Sequence, residues 1–426
     1  MHRWQNIFTA SDKTIMFNSV WLALGEAVSK GALFLATILL IRYLSPSDFG
    51  QFSLANSLAV TAGMVIDFGL STIVTRDLSG NLNKAPKYLS NVLSLKLILG
   101  LFYLFIIMAI TFFSGFEHDD QWMFVLLFLA ILVWVQDITG LLAALFIAEE
   151  KMQKLLYVQM VHYGGIAVSA LVTIYFHLRL GGLVTGYVLA GSLGTLLAIM
   201  LVIMGKVRLA LELDIPFLIR LLKRSLPLFG AIAMTTIYTN ADTLIIGRIL
   251  GPEAVGFYQG AYKFLFVFQS VTLINTAFFP QVSIYIKSGN HLALSRLHRG
   301  ITLFTLFILL PAAFSAILLA EPIITLIYGG KMLPAIEPMK FLIGAGVVYF
   351  LRVYLGNILI AQDRQKLMFV AVGIGLLFNI LLNISLIPVY GFVMGGVALV
   401  LSEIIICGLM WIYTQRGSTN VQTSTN

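Results

Sequence analysis

The longest uncharged stretches of this chain decide what it can fold into. The stretch from Ile301 to Ala320 contains no Asp, Glu, Lys or Arg, and neither does the longer one from Leu367 to Ser402. A helix needs about 20 apolar residues to cross the hydrocarbon core of a bilayer, so the longer stretch exceeds one crossing. We therefore expect several membrane-spanning helices, two of them separated by a turn between Pro388 and Gly391.

The composition extends this expectation to the whole chain. Of its 426 residues 59% are hydrophobic and 11% are charged, whereas soluble domains are about 45–50% apolar and about 25% charged. So few charges exclude a soluble enzyme, a nucleic-acid-binding module and a disordered chain. We predict an all-α polytopic membrane protein with 12 transmembrane helices, at residues 15–41, 49–75, 89–113, 122–148, 155–176, 180–204, 226–247, 256–286, 300–320, 336–360, 367–387 and 391–413. The first is too long for the apolar region of a signal peptide, so we expect it to be retained.

The loop charges orient these helices. If the N-terminus is inside, 18 of the 27 Lys and Arg residues lie in the loops on that side and four lie on the other. Cytoplasmic loops collect Lys and Arg, so both termini are predicted to be cytoplasmic, and the net charge of +8 needs no nucleic-acid partner. A single cysteine, Cys407, excludes an internal disulfide and a paired-cysteine metal site. No cofactor and no metal are predicted.

An internal repeat divides the chain into two halves. Three pairs of segments match in order, each pair separated by nearly half the chain: Arg42–Phe52 with Arg248–Tyr258, Phe146–Lys151 with Leu359–Arg364, and Gly182–Val188 with Gly391–Val397. Such self-similarity predicts two homologous lobes of six helices, at residues 1–204 and 226–413. Because six is even, both lobes have the same orientation, which predicts parallel repeats around a central cleft.

Two further segments lie outside the predicted lobes. The linker at 205–225 places Arg220, Lys223 and Arg224 on one helical face and apolar residues on the others, which predicts an interfacial helix along the inner leaflet. The tail at 414–426 is rich in Ser, Thr and Asn, which predicts disorder.

Cations inside the predicted spans are the first candidates for a functional site. An ionisable residue at the bilayer centre costs about 2.5–3.5 kcal/mol on insertion scales. Lys263 and Arg352 have no acidic partner within one turn of their helices, so we predict that they contact an anionic substrate in the cleft. Lys30 follows Glu26 by four residues, so the two either neutralise each other or place Lys30 in the cleft as a third anion contact.

The intramembrane acids are candidates for binding a coupling ion. They are Glu26, Asp67, Asp137, Asp242 and Glu403. For other polar residues we favour structural roles. Lys96 is expected to snorkel to the surface, His162 to form an interior hydrogen bond, and Asn379 and Asn383 to bond between helices. The cluster of Glu117, Asp119 and Asp120 is interpreted as a solvated loop; no catalytic constellation is found and no enzyme is predicted.

The start of the second half resembles a known family. The stretch Ser225–Phe264, with Pro227, Asp242 before LIIG, and then LGPEAVGFY, resembles the second lobe of Wzx-type polysaccharide flippases of the multidrug/oligosaccharidyl-lipid/polysaccharide exporter superfamily. Leu40–Asn56 and Leu326–Ile336 also resemble segments of that family. The related peptidoglycan-precursor flippases carry two extra helices and arginine-rich first and second helices, which this chain does not match.

The resemblance implies a function. It is the flipping of an undecaprenyl-pyrophosphate-linked oligosaccharide from the inner to the outer leaflet of the bacterial inner (plasma) membrane, by ion-coupled alternating access through a cationic cleft. The implied partners are this lipid-linked oligosaccharide, membrane lipids, and the polysaccharide polymerase and chain-length machinery.

Three alternatives remain open. A multidrug exporter of the same superfamily would select cationic substrates. The intramembrane cations Lys263 and Arg352 disfavour this alternative, because they would repel such substrates. A membrane-embedded polysaccharide polymerase or ligase would, by resemblance to known ones, place its catalytic residues on a large outer loop, whereas the longest predicted outer loop here is about 15 residues, near Glu321–Ala335. A major-facilitator carrier would show a charged signature between helices 2 and 3 that Thr75–Lys87 does not reproduce.

Overall fold

Helices make up nearly all of the regular structure, as the uncharged stretches predict. The computed structural model describes Trp21, Gly25, Ser29, residues 31–113 and residues 120–423. The helices are α1 (Gly31–Tyr43), α2 (Pro46–Asp67), α3 (Leu70–Gly80), α4 (Ala85–Phe113), α5 (Asp120–Ala148), α6 (Met152–Tyr175), α7 (Leu180–Met204), α8 (Ile215–Leu250), α9 (Pro252–Ser270), α10 (Leu273–Lys287), α11 (His291–Phe304), α12 (Leu310–Leu318), α13 (Ala320–Tyr328), α14 (Ile336–Ala361), α15 (Gln365–Tyr390) and α16 (Val393–Thr423). A π-helical turn, Thr305–Leu309, joins α11 to α12, and 3₁₀ turns occupy Leu82–Lys84 and Gly330–Ala335.

The described residues contain nine helices that are long and apolar enough to cross a membrane, or ten if the bent pair α9 and α10 forms one span. The predicted first span, 15–41, is described only in part, and its last residues form α1 (Gly31–Tyr43), which is shorter than a full span. The predicted seventh lies within α8, where several threonines, Asn240 and Asp242 reduce the apolar character. The all-helical polytopic fold is therefore confirmed, while the count of twelve and the cytoplasmic termini stay predictions.

The helix starts repeat along the chain. Pro46 begins α2 and Pro252 begins α9, with the same spacing that separates Arg42 from Arg248, and the starts of α4 and α11 share it. The starts of α6 and α15, and those of α7 and α16, have the spacing that separates Phe146 from Leu359.

The turns before these helices repeat as well. Glu150 and Asp363 are equivalent positions of the repeat, and both adopt a positive φ of 58° before α6 and α15 begin. The repeat found in the sequence thus corresponds to a repeated order of helices. For α7 and α16 the spacing of the helix starts exceeds that of the matching sequence segments by about one helical turn.

The chain divides into two units. One contains Met1–Leu44 and Ala55–Thr236, and the other contains Ser45–Leu54 and Ile237–Asn426. The boundary falls inside α8, so the linker and the start of α8 belong to the first unit. Conversely, the first residues of α2, up to Leu54, belong to the second unit although they precede most of the first unit in the sequence.

The linker differs from the predicted interfacial helix. Residues 207–214 are not helical, and α8 begins at Ile215 and continues through Pro227. Side chains on α4 hold this segment, since the Ala210 N–H donates to Ser90 Oγ (3.0 Å) and the Asp214 N–H donates to Asn91 Oδ1 (2.6 Å). The side chains of Ser90 and Asn91 thus accept the hydrogen bonds that backbone carbonyls would accept if this segment were helical.

A salt bridge fastens the start of α8 to the end of α3. Both terminal nitrogens of Arg224 donate to the Asp77 carboxylate at 2.8 Å, and the Tyr88 hydroxyl donates to it at 3.0 Å. Burial alone would raise the pKa of Asp77, but the hydrogen bonds from Arg224 and Tyr88 outweigh it and hold that pKa below its ordinary value. These contacts hold the end of α3 against the first turns of α4 and the N-terminal part of α8.

Two helix ends differ from the sequence prediction. α15 continues through Pro388 to Tyr390, and the chain turns at Gly391, whose φ is 82°. A positive φ is readily adopted by glycine, so Gly391 is the better breaking point. α16 continues to Thr423, through most of the tail predicted to be disordered from Thr414. Extending an existing helix by one residue costs far less than nucleating one, which explains the polar extension.

Candidate functional site

The break after α2 places a carboxylate in the interior of the first unit. α2 ends at Asp67, and Phe68 and Gly69 both have positive φ values, of 47° and 75°, before α3 begins. Asp67 Oδ1 accepts hydrogen bonds from the backbone N–H of Ser71 (3.2 Å) and from its hydroxyl. Asp67 therefore caps α3 and is held in one position.

Lys96 of α4 joins this carboxylate to a second one. Its Nζ lies 2.8 Å from Asp67 Oδ1 and 2.8 Å from Asp137 Oδ2 on α5, and it donates to Ser71 Oγ at 3.1 Å. The Lys96 side chain is fully buried, so the prediction that it snorkels to the surface is wrong. The reason is that its two acidic partners lie on neighbouring helices, where the sequence does not reveal them.

The charge balance of this cluster matters for function. One ammonium serves two carboxyl groups, so the cluster carries a net negative charge unless one carboxyl holds a proton. Charges out of water are tolerated when they are paired and hydrogen-bonded. The three residues Asp67, Lys96 and Asp137 therefore form a group with room for one further positive charge.

Asp242 of α8 occupies a different environment, in the second unit. It is 1% exposed, and its carboxylate accepts hydrogen bonds from the Tyr258 hydroxyl (2.7 Å) and from Asn383 Nδ2. The same Asn383 nitrogen donates to Asn379 Oδ1 at 3.0 Å, one turn away on α15. Asn383 thus bonds between helices as the sequence predicts. In the described part of the chain no Lys or Arg forms an ion pair with Asp242.

The same asparagine also carries an unused acceptor. Asn383 is 0% exposed, and its Oδ1 has no hydrogen-bond partner among the described residues. A buried polar atom without a partner is uncommon and needs an explanation. A carboxylate without a cation beside an amide oxygen without a donor is an arrangement of hard oxygen atoms that suits a small cation or a proton.

Arg352 and Glu403 form a buried ion pair in the same unit. Arg352 Nε lies 2.7 Å from Glu403 Oε2, and the Tyr238 hydroxyl donates to Glu403 Oε1 at 2.9 Å. The Arg352 guanidinium also lies 4.6 Å from the centre of the Tyr349 ring. The sequence indicated no partner for Arg352 because Glu403 lies on a different helix, α16. Any anion that contacts Arg352 must compete with this carboxylate.

Lys263 of α9 has a simpler environment. Its Nζ lies 5.6 Å from the centre of the Phe266 ring, one turn further along the helix. Among the described residues no Asp or Glu forms an ion pair with it. A half-buried ammonium beside an aromatic face is positioned by a cation–π contact and keeps its donors available.

The remaining predicted residues divide into two groups. Glu26 and Lys30 lie outside the described residues, as do Glu117 and Asp119. His162 is buried and lies 3.1 Å from Gln136, which agrees with the predicted interior hydrogen bond. Within the described residues no group of three or more His, Cys, Asp or Glu could hold a metal ion.

Sequence reasoning missed the tyrosines of the second unit. Tyr238 and Tyr258 each donate a hydrogen bond to a buried carboxylate, on Glu403 and Asp242 respectively. Both tyrosines lie in apolar surroundings, where a phenol hydroxyl needs an acceptor. This need, applied to each tyrosine within a predicted span, could have identified them as partners of the intramembrane acids.

A sequence profile of polysaccharide biosynthesis proteins matches residues 39–337, more than half of the chain. The chain belongs to this polysaccharide biosynthesis family. The resemblance found in the sequence is therefore confirmed, and it extends beyond the motifs at the start of the second half.

Individual members and neighbours agree with this assignment. A probable low-salt glycan biosynthesis flippase of Haloferax volcanii is 23% identical over 403 residues, covering 90% of this chain and 80% of that protein. A teichuronic acid biosynthesis protein of Bacillus subtilis is 28% identical over 149 residues, covering 33% of this chain and 30% of that protein.

Solved structures show the same fold. A lipid II flippase in an inward closed conformation superposes with a TM-score of 0.77 at 16% identity, covering 93% of this chain and 87% of that one. A multidrug resistance transporter of the MATE family, in an inward-facing conformation, gives 0.73 at 14% identity, covering 96% and 99%. At such low identities the likeness concerns the fold alone.

The buried pair of Arg352 and Glu403 gives a testable prediction for the polysaccharide biosynthesis protein. Arg352→Met or Glu403→Gln alone leaves the other charge buried without a partner, which should cost about 3–5 kcal/mol. The double variant removes both charges and should recover most of the loss, since a glutamine can still accept from Tyr238. Thermal unfolding in detergent measures this, with exposed Arg296→Met as the control.

The same double variant separates a role of the ion pair in stability from a role in transport. Recovered stability without recovered transport would show that the pair is needed for transport as well as for stability. Single variants that unfold at the same temperature as the control would show that the ion pair does not stabilise the fold.

Proposed function

We propose that the protein flips a lipid-linked oligosaccharide, carried on undecaprenyl pyrophosphate, from the inner to the outer leaflet of a bacterial inner membrane, by ion-coupled alternating access, and so supplies repeat units for a surface polysaccharide. The family and the named flippase relative support the substrate class. The observation that carries the proposal in this chain is Lys263, the half-buried ammonium without an acidic partner among the described residues.

The Lys263 ammonium suits the pyrophosphate group of the proposed substrate. A pyrophosphate is a compact anion, and an ammonium binds phosphate as a point charge with several donors. Leaving such a cation unpaired inside a membrane protein costs free energy unless a ligand satisfies it. Arg352 is a second anion contact in this proposal, although it must first release Glu403, and Lys30 is the third.

The acidic residues supply the proposed coupling. Asp242, with the free Asn383 oxygen beside it, is the proposed cation site of the second unit. Asp67 and Asp137, which share Lys96, are the proposed site for a proton in the first unit. Glu403 is a third candidate, and becomes available only when Arg352 leaves it. Glu26 remains a candidate from its sequence position.

The alternative function is multidrug export. It is favoured by the fold likeness to the MATE transporter, and the buried carboxylate of Asp242 would suit a cationic drug. Lys263 disfavours it, because an unpaired ammonium repels a cationic substrate. A membrane-embedded polymerase is a weaker alternative, since the described residues show no catalytic constellation.

Deletion of the gene tests the proposal in cells. In a strain without paralogues, deletion should abolish surface polysaccharide and cause the lipid-linked repeat unit to accumulate on the inner side of the membrane. Mass analysis of extracted lipids and staining of the cell surface measure the two effects. Normal surface polysaccharide in the deletion strain would contradict the proposal.

Removal of the Lys263 charge should impair flipping. Lys263→Ala loses a charge-assisted hydrogen bond worth about 1.5–3 kcal/mol, which predicts binding about ten- to a hundred-fold weaker. Lys263→Arg should retain most activity, and exposed Lys366→Ala serves as the control. The amount of surface polysaccharide that each variant restores to the deletion strain measures its flipping activity. Unchanged glycan export, or improved export of a cationic dye, would favour the multidrug alternative.

Neutralisation of Asp242 should uncouple transport from its ion. In membrane vesicles with an imposed Na⁺ or H⁺ gradient, one of the two should accelerate the wild-type protein. Asp242→Asn keeps a similar shape but removes the charge, so the acceleration should disappear. Exposed Glu337→Gln is the matched control. An Asp242→Asn variant that still responds fully to the gradient would show that the ion binds elsewhere.

A further inference from the structure

An exposed strip of apolar side chains follows α7, and the transport mechanism proposed above makes no use of it. The strip consists of Leu211, Leu213, Ile215, Ile219 and Leu226, which are between 47% and 74% exposed. The first two lie in the non-helical residues 207–214, and the other three lie in α8. Residues four and seven positions apart share one face of a helix, so the α8 members form one row. We call these five residues the apolar strip.

The opposite face of the same segment packs against α4 and holds the apolar strip outward. Leu218 and Leu221 are 5% and 2% exposed. The Phe217 ring lies 4.9 Å from the centre of the Tyr88 ring and 5.1 Å from Lys87 Nζ. The hydrogen bonds from residues 207–214 to α4 hold the non-helical part. The apolar strip is therefore kept in one orientation by the packing and hydrogen bonds of the segment that carries it.

Four cations accompany the apolar strip. They are Lys206, Arg208, Arg220 and Lys223, and all four are exposed. Lys223 follows Ile219 by one helical turn and Arg220 follows it directly, so both border the apolar strip. Among the residues that the structure describes, none of the four forms an ion pair.

The acidic residues of the segment are engaged elsewhere. Asp214 Oδ2 lies 2.8 Å from Lys87 Nζ, and Glu212 Oε2 accepts a hydrogen bond from Asn91 Nδ2 at 3.2 Å. Both partners lie on α4. Lys87 neutralises Asp214, which leaves the single charge of Glu212 against the four cations. The surface beside the apolar strip is therefore positive.

The segment lies between a candidate membrane span and a predicted one. α7 ends at Met204 and is long and apolar enough to cross a membrane, and Leu226 begins the predicted seventh span, 226–247. The loop charges assign this segment to the cytoplasmic side in the predicted orientation. The inner leaflet contains anionic lipids, whose negative surface potential attracts Lys and Arg residues next to the membrane.

We propose that the apolar strip and these four cations bind anionic phospholipids of the inner leaflet. The apolar side chains enter the acyl-chain boundary and the cations contact lipid phosphates, as in other segments that lie in a membrane interface. A neutral lipid would cover the apolar strip but leave the cations uncompensated, and a soluble anion would leave the apolar strip in water. All of these residues belong to one unit, and the binding does not depend on the substrate that the protein carries.

Fluorescence quenching tests the proposal at the apolar strip itself. In a Cys407→Ala background, Ile219→Cys carries an environment-sensitive fluorophore, and the full-length protein is placed in liposomes with a spin-labelled lipid as the quencher. Phosphatidylcholine liposomes that contain phosphatidylglycerol should quench the fluorophore more strongly than phosphatidylcholine alone, because the cations draw the apolar strip to an anionic membrane. No lipid-linked glycan is added, so the result is independent of the proposed transport function.

Removal of two cations gives the second measurement. Arg220→Gln with Lys223→Gln should abolish the difference between the two kinds of liposome. In detergent, native mass spectrometry should show that the tightest-bound phosphatidylglycerol binds this variant about thirtyfold more weakly. Arg179→Gln with Arg248→Gln removes the same charge from exposed positions on the opposite predicted side, and it should leave both results unchanged.

Three outcomes would overturn the proposal. Equal quenching in both kinds of liposome would show that the cations do not recognise anionic lipid. Absence of quenching in both would show that another protein, or a second copy of this chain, covers the apolar strip. Inorganic pyrophosphate that displaces phosphatidylglycerol completely in detergent would identify a site for a soluble anion or a substrate headgroup instead.

Discussion

A charge inside a bilayer must find its compensation within the protein, and the interior of this chain is organised by that requirement. Lys96 lies between two aspartates, and Arg352 lies against Glu403. Asp242 is stabilised by hydrogen bonds. Each of these groups is completed within one unit of the chain. Ion pairs and hydrogen bonds, in addition to packing, therefore hold the helices that carry these groups in defined positions within each unit.

The same requirement separates structural from functional charges. A charge that is already paired is expensive to disturb, whereas one without a partner among the described residues is available to a ligand. By this criterion Lys263 is the proposed contact for an anion, and Asp242 is the proposed site for a cation. Arg352 and Glu403 are an intermediate case, because each can contact a ligand only when their ion pair is broken.

The sequence predicted the architecture better than the site. Uncharged stretches located most helices, since helix formation in lipid is a local property of the chain. The partners of Lys96 and Arg352 could not be predicted, because they lie on other helices, many turns away along the chain. The non-helical linker was missed for the same reason, as Ser90 and Asn91 that hold it are about 120 residues distant.

The repeat shows which features both halves share. Helix starts recur at fixed spacings, and Gly50 has its counterpart in Gly256. The charges do not recur, because Ala36 stands at the position equivalent to Asp242 and Ser57 at that equivalent to Lys263. Duplication thus accounts for the scaffold, whereas the proposed contacts for substrate and ion are residues that the other half does not repeat.

The central claim is that this protein itself moves a lipid-linked glycan across a bilayer. Its most direct test uses purified protein in liposomes with a polyprenyl-pyrophosphate oligosaccharide whose sugar is labelled. A membrane-impermeant glycan-oxidising reagent reports how much of the sugar faces outside. The account predicts that sugars from the inner leaflet become accessible, leaving no protected pool. A protected pool as large as that in protein-free liposomes would contradict it.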